Sequence, residues 1–469
     1  MGTPPGLSAI PWPLRENFSN MREPLSLSDD REGMVHRFRG GRSREAVSNR
    51  LAETTEVVLE VHDPHRKAGQ GSPWLILAVV LVASMAGTVN YYKVPPLMPL
   101  LMAAYRLSGA EAGFLMSIFA LVGIALSIPA GVILNTLGYR IAGILGVAWI
   151  TAGAALGAVS TGVVSLLATR LMEGIGLNLM AIVAPTVIAA YFRREKQSTA
   201  VGIWSIWYPL GSTITFTAAP FIASQWGWRS VWWFGCFYAA AAGLLYSISV
   251  KPLPSRGTEA FRKGLPKGRE MPGNRQTFLN RDLWKLSLMF LAFAFTYVSF
   301  LTWTPTFLHT ARGIPLSHAA YVMSLFSVLA LIAAPASGWV LGRVASPGPI
   351  CAGVMALFCA PATAICFVRL SYVLPLLIVM GIIASFLPAA IVSMAARLIH
   401  EGKVSALAVS MVTVGQNAGI FLGPILFGRA MESAGGWTLA YAMYIPACLL
   451  GMVAALLLNV RSYQGAVRD

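Results

Sequence analysis

The sequence predicts an all-α integral membrane protein with twelve transmembrane helices in two pseudo-symmetric six-helix bundles. Hydrophobic residues make up 56% of the 469 residues and charged residues only 12%, about half of the ~25% that is typical of soluble domains. Apolar stretches recur at a length of about 20 residues, which a helix needs to cross a bilayer. These stretches show no alternation of apolar and polar residues, so we expect helices and not a barrel.

Twelve apolar stretches follow one another from residue 74 onward, and each is expected to form one span. Their expected ranges are 74–102, 111–134, 141–160, 163–190, 200–223, 230–250, 284–308, 318–341, 350–369, 372–396, 404–428 and 437–459.

The widest gap between apolar stretches divides the chain into two halves. It covers 251–283 and is rich in Lys, Arg, Pro and Gly, which predicts a basic cytoplasmic linker between a bundle at 73–250 and a second at 284–460. Residues 1–72 are rich in Pro, Gly, Ser, Arg and Glu and predict a disordered cytoplasmic tail. Residues 461–469 are expected to form a short cytoplasmic tail.

The distribution of charge predicts the orientation in the membrane. Residues 1–72 are neutral, whereas the remainder carries 25 basic and 9 acidic residues and accounts for the net charge of +16. With the N-terminus inside, the inner segments hold 18 of these basic residues and the outer loops hold five. By the positive-inside rule, both termini are expected in the cytoplasm, in an inner or plasma membrane. The excess charge is therefore not a nucleic-acid signal.

Several classes of function are not supported by the sequence. The five cysteines lie within apolar stretches, without the spacing of a disulfide framework or a metal site. No Gly-x4-Gly-Lys-Ser/Thr loop for nucleotide binding occurs, and no span offers a catalytic arrangement of side chains. We therefore expect neither an enzyme nor a cofactor, and an ion gradient as the source of energy.

An internal repeat supports the division into halves. Gly131-Val-Ile-Leu134 follows the second span and Gly338-Trp-Val-Leu341 follows the eighth, at an offset of 207 residues. The same offset relates Gly174 in the fourth span to Gly381 in the tenth. Repeated halves are a known construction of transporters.

Three motifs carry a family resemblance. The turn after the second span contains Gly131, Asn135, Gly138 and Arg140; the fourth span contains Arg170-Leu-Met-Glu-Gly-Ile-Gly176; and Gly227-Trp-Arg229 leads into the sixth span. Together with the twelve spans, these motifs resemble the major facilitator superfamily over residues 74–460.

The resemblance implies a transporter that rocks two bundles around a central site, with the first motif as a cytoplasmic gating motif. In the family, an acid at this position pairs with basic groups and latches the cytoplasmic gate. Asn135 stands there in this chain, which weakens the case for a latch based on charge. The stretch Tyr297-Val-Ser-Phe-Leu-Thr-Trp-Thr-Pro-Thr-Phe-Leu308 resembles the organic anion:cation symporter and cyanate-porter-like branches.

Charged residues inside the spans are the main candidates for function. Among the nine acids after residue 72 only Glu173 lies well within a span, and Lys93 and Arg170 are the corresponding basic residues. Such charges usually face a cavity or a partner, because isolated charges are costly in lipid. In one interpretation Lys93 and Arg170 bind an anionic substrate and Glu173 takes up the coupling proton. In the other, Arg170 and Glu173 form a permanent pair and Lys93 extends to the outer surface.

Further substrate-binding candidates are polar or aromatic residues in the spans that line such a site in the family. Prolines that follow Lys93 are expected to break the first helix beside the site. The candidates are Asn90, Tyr91, Trp207, Tyr208, Tyr297, Trp303, Gln416 and Asn417. Aromatic residues here also suit packing or interface anchoring, and Gln416 and Asn417 also suit a hydrogen bond to a neighbouring helix.

The sequence thus predicts a secondary transporter, embedded in the bilayer, that moves a small organic or inorganic anion with protons. A proton-driven exporter of an amphipathic compound is an alternative. A membrane sensor or scaffold that transports nothing is the alternative from another class.

Overall fold

The computed structural model describes residues 72–126, 129–252, 274–341, 347–400 and 407–458. Every regular element in these ranges is a helix. In chain order they are α1 (Pro73–Tyr92), a 3-10 turn (Pro95–Leu97), α2 (Met98–Tyr105), α3 (Gly109–Leu126), α4 (Pro129–Ala158), α5 (Val163–Tyr191), α6 (Arg194–Trp204), α7 (Trp207–Trp226), α8 (Arg229–Ser249), α9 (Asn274–Leu279), α10 (Arg281–Thr310), α11 (Leu316–Leu341), α12 (Pro347–Ala364), α13 (Leu370–Ala384), α14 (Phe386–His400), α15 (Leu407–Met431), α16 (Gly436–Ala442) and α17 (Tyr444–Leu456).

The helices confirm a membrane protein of the predicted class. Eleven stretches in the described part of the chain are long and apolar enough to cross a bilayer. The 20-residue helix α7 is not among the eleven, and it takes the fifth of the twelve expected places. Large apolar side chains are exposed around the helices, such as Val164 at 82% and Ile332 at 69%. Lipid is the solvent that suits such a surface.

The two halves follow one repeat through the described helices. The helix starts Gly109 and Leu316 are 207 residues apart, and the same separation relates Val163 to Leu370. It also relates Arg229, where α8 begins, to Gly436, where α16 begins. A constant separation of these helix starts shows that the helices and loops between them have the same combined length in the two halves.

The repeat extends to single packing contacts. A Cβ atom on Gly174 would lie 3.3 Å from Phe119 Cα and 3.3 Å from a Val122 methyl carbon. A Cβ atom on Gly381 would lie 2.9 Å from the Phe326 carbonyl oxygen and 2.9 Å from Leu329 Cβ. Each partner in the second half lies 207 residues after its counterpart, so the two glycines permit the same close helix contact.

Prolines break the first span at the predicted place. Helix α1 ends at Tyr92, the 3-10 turn Pro95–Leu97 follows, and α2 begins at Met98. A proline ring has no backbone N–H to donate and clashes with the preceding turn, which stops the helical ladder. The tenth and twelfth spans are also divided, at Ser385 and Met443.

The halves meet closely where α3 of the first half crosses α15 of the second. A Cβ atom on Gly113 would collide with the Pro424 carbonyl oxygen, and Gly109 and Gly428 leave equally little space between their backbones. The Glu432 carboxylate accepts a hydrogen bond of 2.5 Å from the Gly109 backbone N–H. We call these contacts the α3–α15 closure.

Some expectations fall partly or wholly outside the described residues. Residues 1–71 and 459–469, which contain most of the two predicted tails, and 253–273 of the predicted linker are among them. The end of the predicted linker is helical as α9, and Asn280 then caps α10 by accepting from the N–H groups of Asp282 at 3.0 Å and Leu283 at 3.3 Å.

Candidate functional site

The fourth span brings two ionisable side chains into the body of the first half. Arg170 and Glu173 are three residues apart on α5, and both are fully buried. A neighbouring glycine provides the space, since a Cβ atom on Gly153 of α4 would lie 2.8 Å from Glu173 Cγ. Helix α4 can therefore approach the carboxylate closely.

Lys93 completes an ionic cluster with these two residues. Its Nζ lies 2.5 Å from Glu173 Oε1, and Arg170 Nη1 lies 2.6 Å from Glu173 Oε2. Asn90 Oδ1 accepts a further hydrogen bond of 2.8 Å from Lys93 Nζ. Lys93 is only 1% exposed, so it does not extend to the outer surface, and that part of the alternative interpretation is wrong.

The break in the first helix explains where Arg170 binds. The carbonyl oxygen of Tyr91 would ordinarily accept from the residue four positions on, but Pro95 has no N–H. Arg170 Nη2 donates to that oxygen at 3.1 Å, and Nη1 donates to the Asn90 carbonyl at 2.6 Å. Arg170 Nε donates to the Leu115 carbonyl of α3 at 3.2 Å. The guanidinium therefore joins α5 to α1 and α3.

Two aromatic rings cover the cations. Lys93 Nζ lies 4.5 Å from the ring centroid of Trp232 on α8, and the Arg170 guanidinium carbon lies 4.3 Å from that of Phe119 on α3. A cation over an aromatic face gains electrostatic attraction, which increases when water is excluded. Neither ring was predicted from the sequence, because nothing in an apolar span marks the aromatic residue that will meet a distant cation.

The charges of the cluster do not cancel. Two cations share a single carboxylate, so the buried group carries one positive charge in excess. Removing one partner of a buried ion pair generally costs about 3–5 kcal/mol, because the other charge stays desolvated. A buried excess of positive charge creates a favourable potential for an anion.

The three predicted tyrosines, Tyr91, Tyr208 and Tyr297, lie near one another, and Tyr297 belongs to the second half. Tyr91 and Tyr92 pack edge to face at 4.8 Å, and Tyr92 contacts Tyr208 of α7 at 5.4 Å. Tyr91 is close enough to Tyr208 and to Tyr297 of α10 for electrostatic interaction. Tyr297 itself stacks on Phe293 at 5.3 Å. These rings therefore gather where the first span meets the fifth and the seventh.

The predicted tryptophans make packing contacts. Trp207 stacks on Trp204 at 5.6 Å, and its carbonyl accepts from the Thr88 hydroxyl at 3.2 Å. Trp303 is fully buried and donates from Nε1 to the Pro424 carbonyl at 2.9 Å. Both contacts hold helices together, and Trp303 supports the α3–α15 closure.

Two of the predicted amides, Gln416 and Asn417, lie on α15 in the second half. A Cβ atom on Gly123 would lie 2.9 Å from both Asn417 Oδ1 and Asn178 Oδ1, so these two amides converge over one glycine. Asn178 donates to the Phe119 carbonyl at 3.2 Å. Gln416 is half-buried beside Asn417.

The predicted gating motif forms a turn within the first half. Gly138 has a φ of 73° and interrupts α4, a conformation that favours glycine. Arg140 Nη2 donates to the Ser247 carbonyl in the last turn of α8 at 3.0 Å, where a cation is favourable. At Gly131 and Asn135 the structure describes only the helical backbone, which belongs to α4.

Comparison with known proteins gives the family. The model of the Major Facilitator Superfamily matches residues 76–405. The "Hexuronate transporter" of Bacillus subtilis is 24% identical over 274 residues, which cover 56% of this chain and 64% of that protein. The chain thus spans less than two thirds of this curated relative. The "Probable sulfoacetate transporter SauU" of Cupriavidus necator is 24% identical over 419 residues, covering 82% of this chain and 93% of that protein.

A solved structure shares the fold. The crystal structure of a D-xylose-proton symporter superposes with a TM-score of 0.65 at 15% sequence identity, covering 82% of this chain and 97% of that one. With the repeated halves and the helices that suit a bilayer, these matches show that the chain is a multi-pass membrane protein and that it belongs to the Major Facilitator Superfamily.

Proposed function

We propose that this transporter moves a small anion together with protons, and that the ionic cluster of Lys93, Arg170 and Glu173 is where the two are coupled. The observation that supports the proposal is the imbalance of charge in a fully buried site, where two cations share one carboxylate. An anion that approached this cluster would neutralise the excess charge. A cation would be repelled by it.

The same imbalance provides a reason for coupling to protons. Two basic side chains contact the Glu173 carboxylate, at 2.5 and 2.6 Å. A substrate anion adds negative charge beside the carboxylate and draws on the same cations, which makes a proton on Glu173 more favourable. By linkage, the proton then favours the anion equally. The two bind together, as a symporter requires.

The relatives agree with this assignment in their names. Hexuronate and sulfoacetate, the substrates that two of them are named for, are anions. The solved structure with the same fold is that of a D-xylose-proton symporter. These similarities support an anion and a proton as the transported species, and the cluster provides a physical basis in this chain.

Flux measurements in liposomes test the proposal. A panel of small anions is offered with and without a pH gradient, and the native chain is compared with Glu173→Gln. Glu195→Gln is the matched control, since Glu195 is exposed. We expect an anion to accumulate with the gradient, Glu173→Gln to lose the response to pH, and the control to behave as native. Anion flux that is equally proton-driven in Glu173→Gln would exclude Glu173 as the proton site.

We further propose that both chain termini face the cytoplasm, which the excess of basic residues on one set of loops supports. A fluorescent protein that matures only in the cytoplasm, fused after Asp469, would be expected to fluoresce.

Deletion of residues 1–71 is expected to leave flux intact if that segment is a tail. Absence of flux from the native chain as well as from the deletion variant would instead favour the sensor alternative.

A further inference from the structure

The second half of the protein has no counterpart of the ionic cluster. At the offset of 207 residues, Lys93, Arg170 and Glu173 correspond to uncharged residues of α10 and α13, namely Phe300, Leu377 and Met380. All three are buried, at 0–1% exposure. Charged residues on the described helices of this half lie near helix ends, at Arg281, Asp282, Lys285, Arg397 and Arg429. An anion at the interface would therefore find cations on one side only.

Arg170 is a cation of the cluster with a hydrogen-bond donor that no described residue uses. Four of its five N–H groups are used within the first half, and one hydrogen on Nη2 has no partner among the described residues. Nη2 is also the nitrogen that binds the Tyr91 carbonyl. The Arg170 guanidinium carbon lies 4.3 Å from the centroid of the Phe119 ring. The Tyr91 ring packs edge to face with the same ring, at 5.0 Å between centroids.

Lys93 lies on the opposite side of the cluster. Its ammonium group faces Trp232 of α8 at 4.5 Å, and Asn90, its other partner, donates to the Gly235 carbonyl of the same helix at 3.2 Å. Lys93 is therefore held within the first half, and because Arg170 also contacts Glu173, the cluster as a whole keeps one positive charge in excess. One excess cation suits one negative charge on the ligand.

Aromatic residues cluster beside Tyr91, whose carbonyl oxygen Arg170 binds. Tyr91 is buried, and its hydroxyl group has no hydrogen-bond partner among the described residues. Across the interface, Tyr297 stands at the position that repeats Asn90 and packs against Phe293, Phe326 and Phe358 at 5.3, 6.0 and 6.2 Å. Flat apolar ligands stack on such rings, whereas a ligand with many hydroxyl groups would leave most of them without partners.

We propose that the substrate is a monoanion with a flat, apolar body, whose charged group meets Arg170 while its body lies against Tyr91 and Tyr297. The proposal rests on anion transport by this site, and it names the chemical class of the anion. Lys93 is then a positioning residue that holds Glu173 and does not touch the substrate. The hydroxyl groups of Tyr91 and Tyr92, which have no hydrogen-bond partner among the described residues, are available for one or two polar atoms of the ligand.

Benzenesulfonate tests the proposal, because it carries one permanent charge on a flat ring and does not cross lipid as a neutral acid. Glucuronate (one charge, many hydroxyls) and sulfoacetate (two charges) are the comparison probes. We expect the purified protein to be stabilised against heat by benzenesulfonate at concentrations where the other two have no effect, and liposomes to accumulate it. Tyr297→Asn should weaken binding by about tenfold, on the order of one lost aromatic contact, while Tyr297→Phe should retain it.

Tyr372→Asn is the matched control, since Tyr372 is 61% exposed, and it should bind benzenesulfonate as the native chain does. If glucuronate or sulfoacetate is transported and benzenesulfonate is inert, the inference on the substrate class is overturned while anion transport stands. If none of the three anions binds or moves, and nitrite does not either, the proposed anion transport fails with it. Equal loss of benzenesulfonate binding in Tyr297→Phe and Tyr297→Asn would also overturn the inference, because the ring would then not be the contact.

Discussion

Arg170 donates a hydrogen bond to the carbonyl oxygen of Tyr91, the oxygen that Pro95 leaves without a helical donor. A break in one helix is thereby joined to a charge on another. The guanidinium replaces the missing N–H, and the break allows it to approach the backbone. Because the same nitrogen keeps one hydrogen without a partner among the described residues, a ligand that binds it would also act on the geometry of the first span.

Loss of the carboxylate should destabilise the protein more than loss of the lysine. Glu173→Gln leaves two buried cations without a counter-charge, whereas Lys93→Met leaves the pair of Arg170 and Glu173 at 2.6 Å. We expect Glu173→Gln to cost about 3–5 kcal/mol and Lys93→Met clearly less. Melting temperatures in detergent measure both. The double variant should be more stable than Glu173→Gln alone, and a double variant that is the least stable of the three would contradict the pairing.

The α3–α15 closure should be sensitive to the smallest added side chain. At Gly113, a Cβ atom would collide with the Pro424 carbonyl oxygen, which is backbone and cannot move aside. Gly113→Ala is therefore expected to separate the halves at this end and to slow transport severalfold. Gly353→Ala on α12 is the control, because a Cβ atom there meets nothing within 4 Å. Equal transport rates in the two variants would show that the halves do not need this contact.

Two carboxylates at the start of α3 should behave differently. Glu432 accepts from the Gly109 N–H across the halves at 2.5 Å, whereas Glu111 accepts from the Ser108 N–H at 2.9 Å within one half. Glu432→Gln should change the rate of exchange between the two facings of the transporter, measured as the rate of thiol labelling of a cysteine placed in the closure. Glu111→Gln should leave that rate unchanged, because the cap that Glu111 makes with Ser108 lies within one half. Identical labelling rates in both variants would argue against a latch.

The turn in α4 should require its glycine. Gly138 has a φ of 73°, which is unfavourable for a residue with a Cβ atom. Gly138→Ala is expected to lower stability by about 1 kcal/mol or more, read as a lower melting temperature. Gly202→Ala provides the comparison, since that glycine is helical with open space around it and alanine favours a helix. A Gly138→Ala variant that melts no lower than Gly202→Ala would contradict the strained turn.

The sequence predicted the elements that depend on local pattern. The spans follow from apolar stretches, the break after Tyr92 follows from three prolines, and the pairing of Arg170 with Glu173 follows from their spacing of three on a helix. The contact between Lys93 and Glu173 joins residues that are 80 positions apart, and the spacing of residues on one helix contains no information about it. The coverage of Lys93 by Trp232 was missed for the same reason.

The side-chain directions around the cluster were also not predictable. Lys93 and Arg170 were both expected to bind substrate, as cations within spans usually face a cavity or a partner. In the structure Arg170 is turned toward Tyr91 and Lys93 toward Trp232. Which way a side chain points depends on the rotation of its helix, and that is set by packing such as the approach of Gly153 to Glu173. The role of each residue in transport remains a prediction that the variants above address.

The separation of Lys93 from Glu173 along the chain has a consequence for biosynthesis. The ribosome completes the first span 80 residues before it reaches the carboxylate that neutralises the lysine. Until then, lipid would receive an unpaired ammonium group, at a cost of about 2.5–3.5 kcal/mol. The first span therefore has reason to remain at the insertion machinery until the fourth emerges, so that the first half enters the membrane as an assembled unit. The second half has no buried charge of this kind on its described helices and can be released one helix at a time.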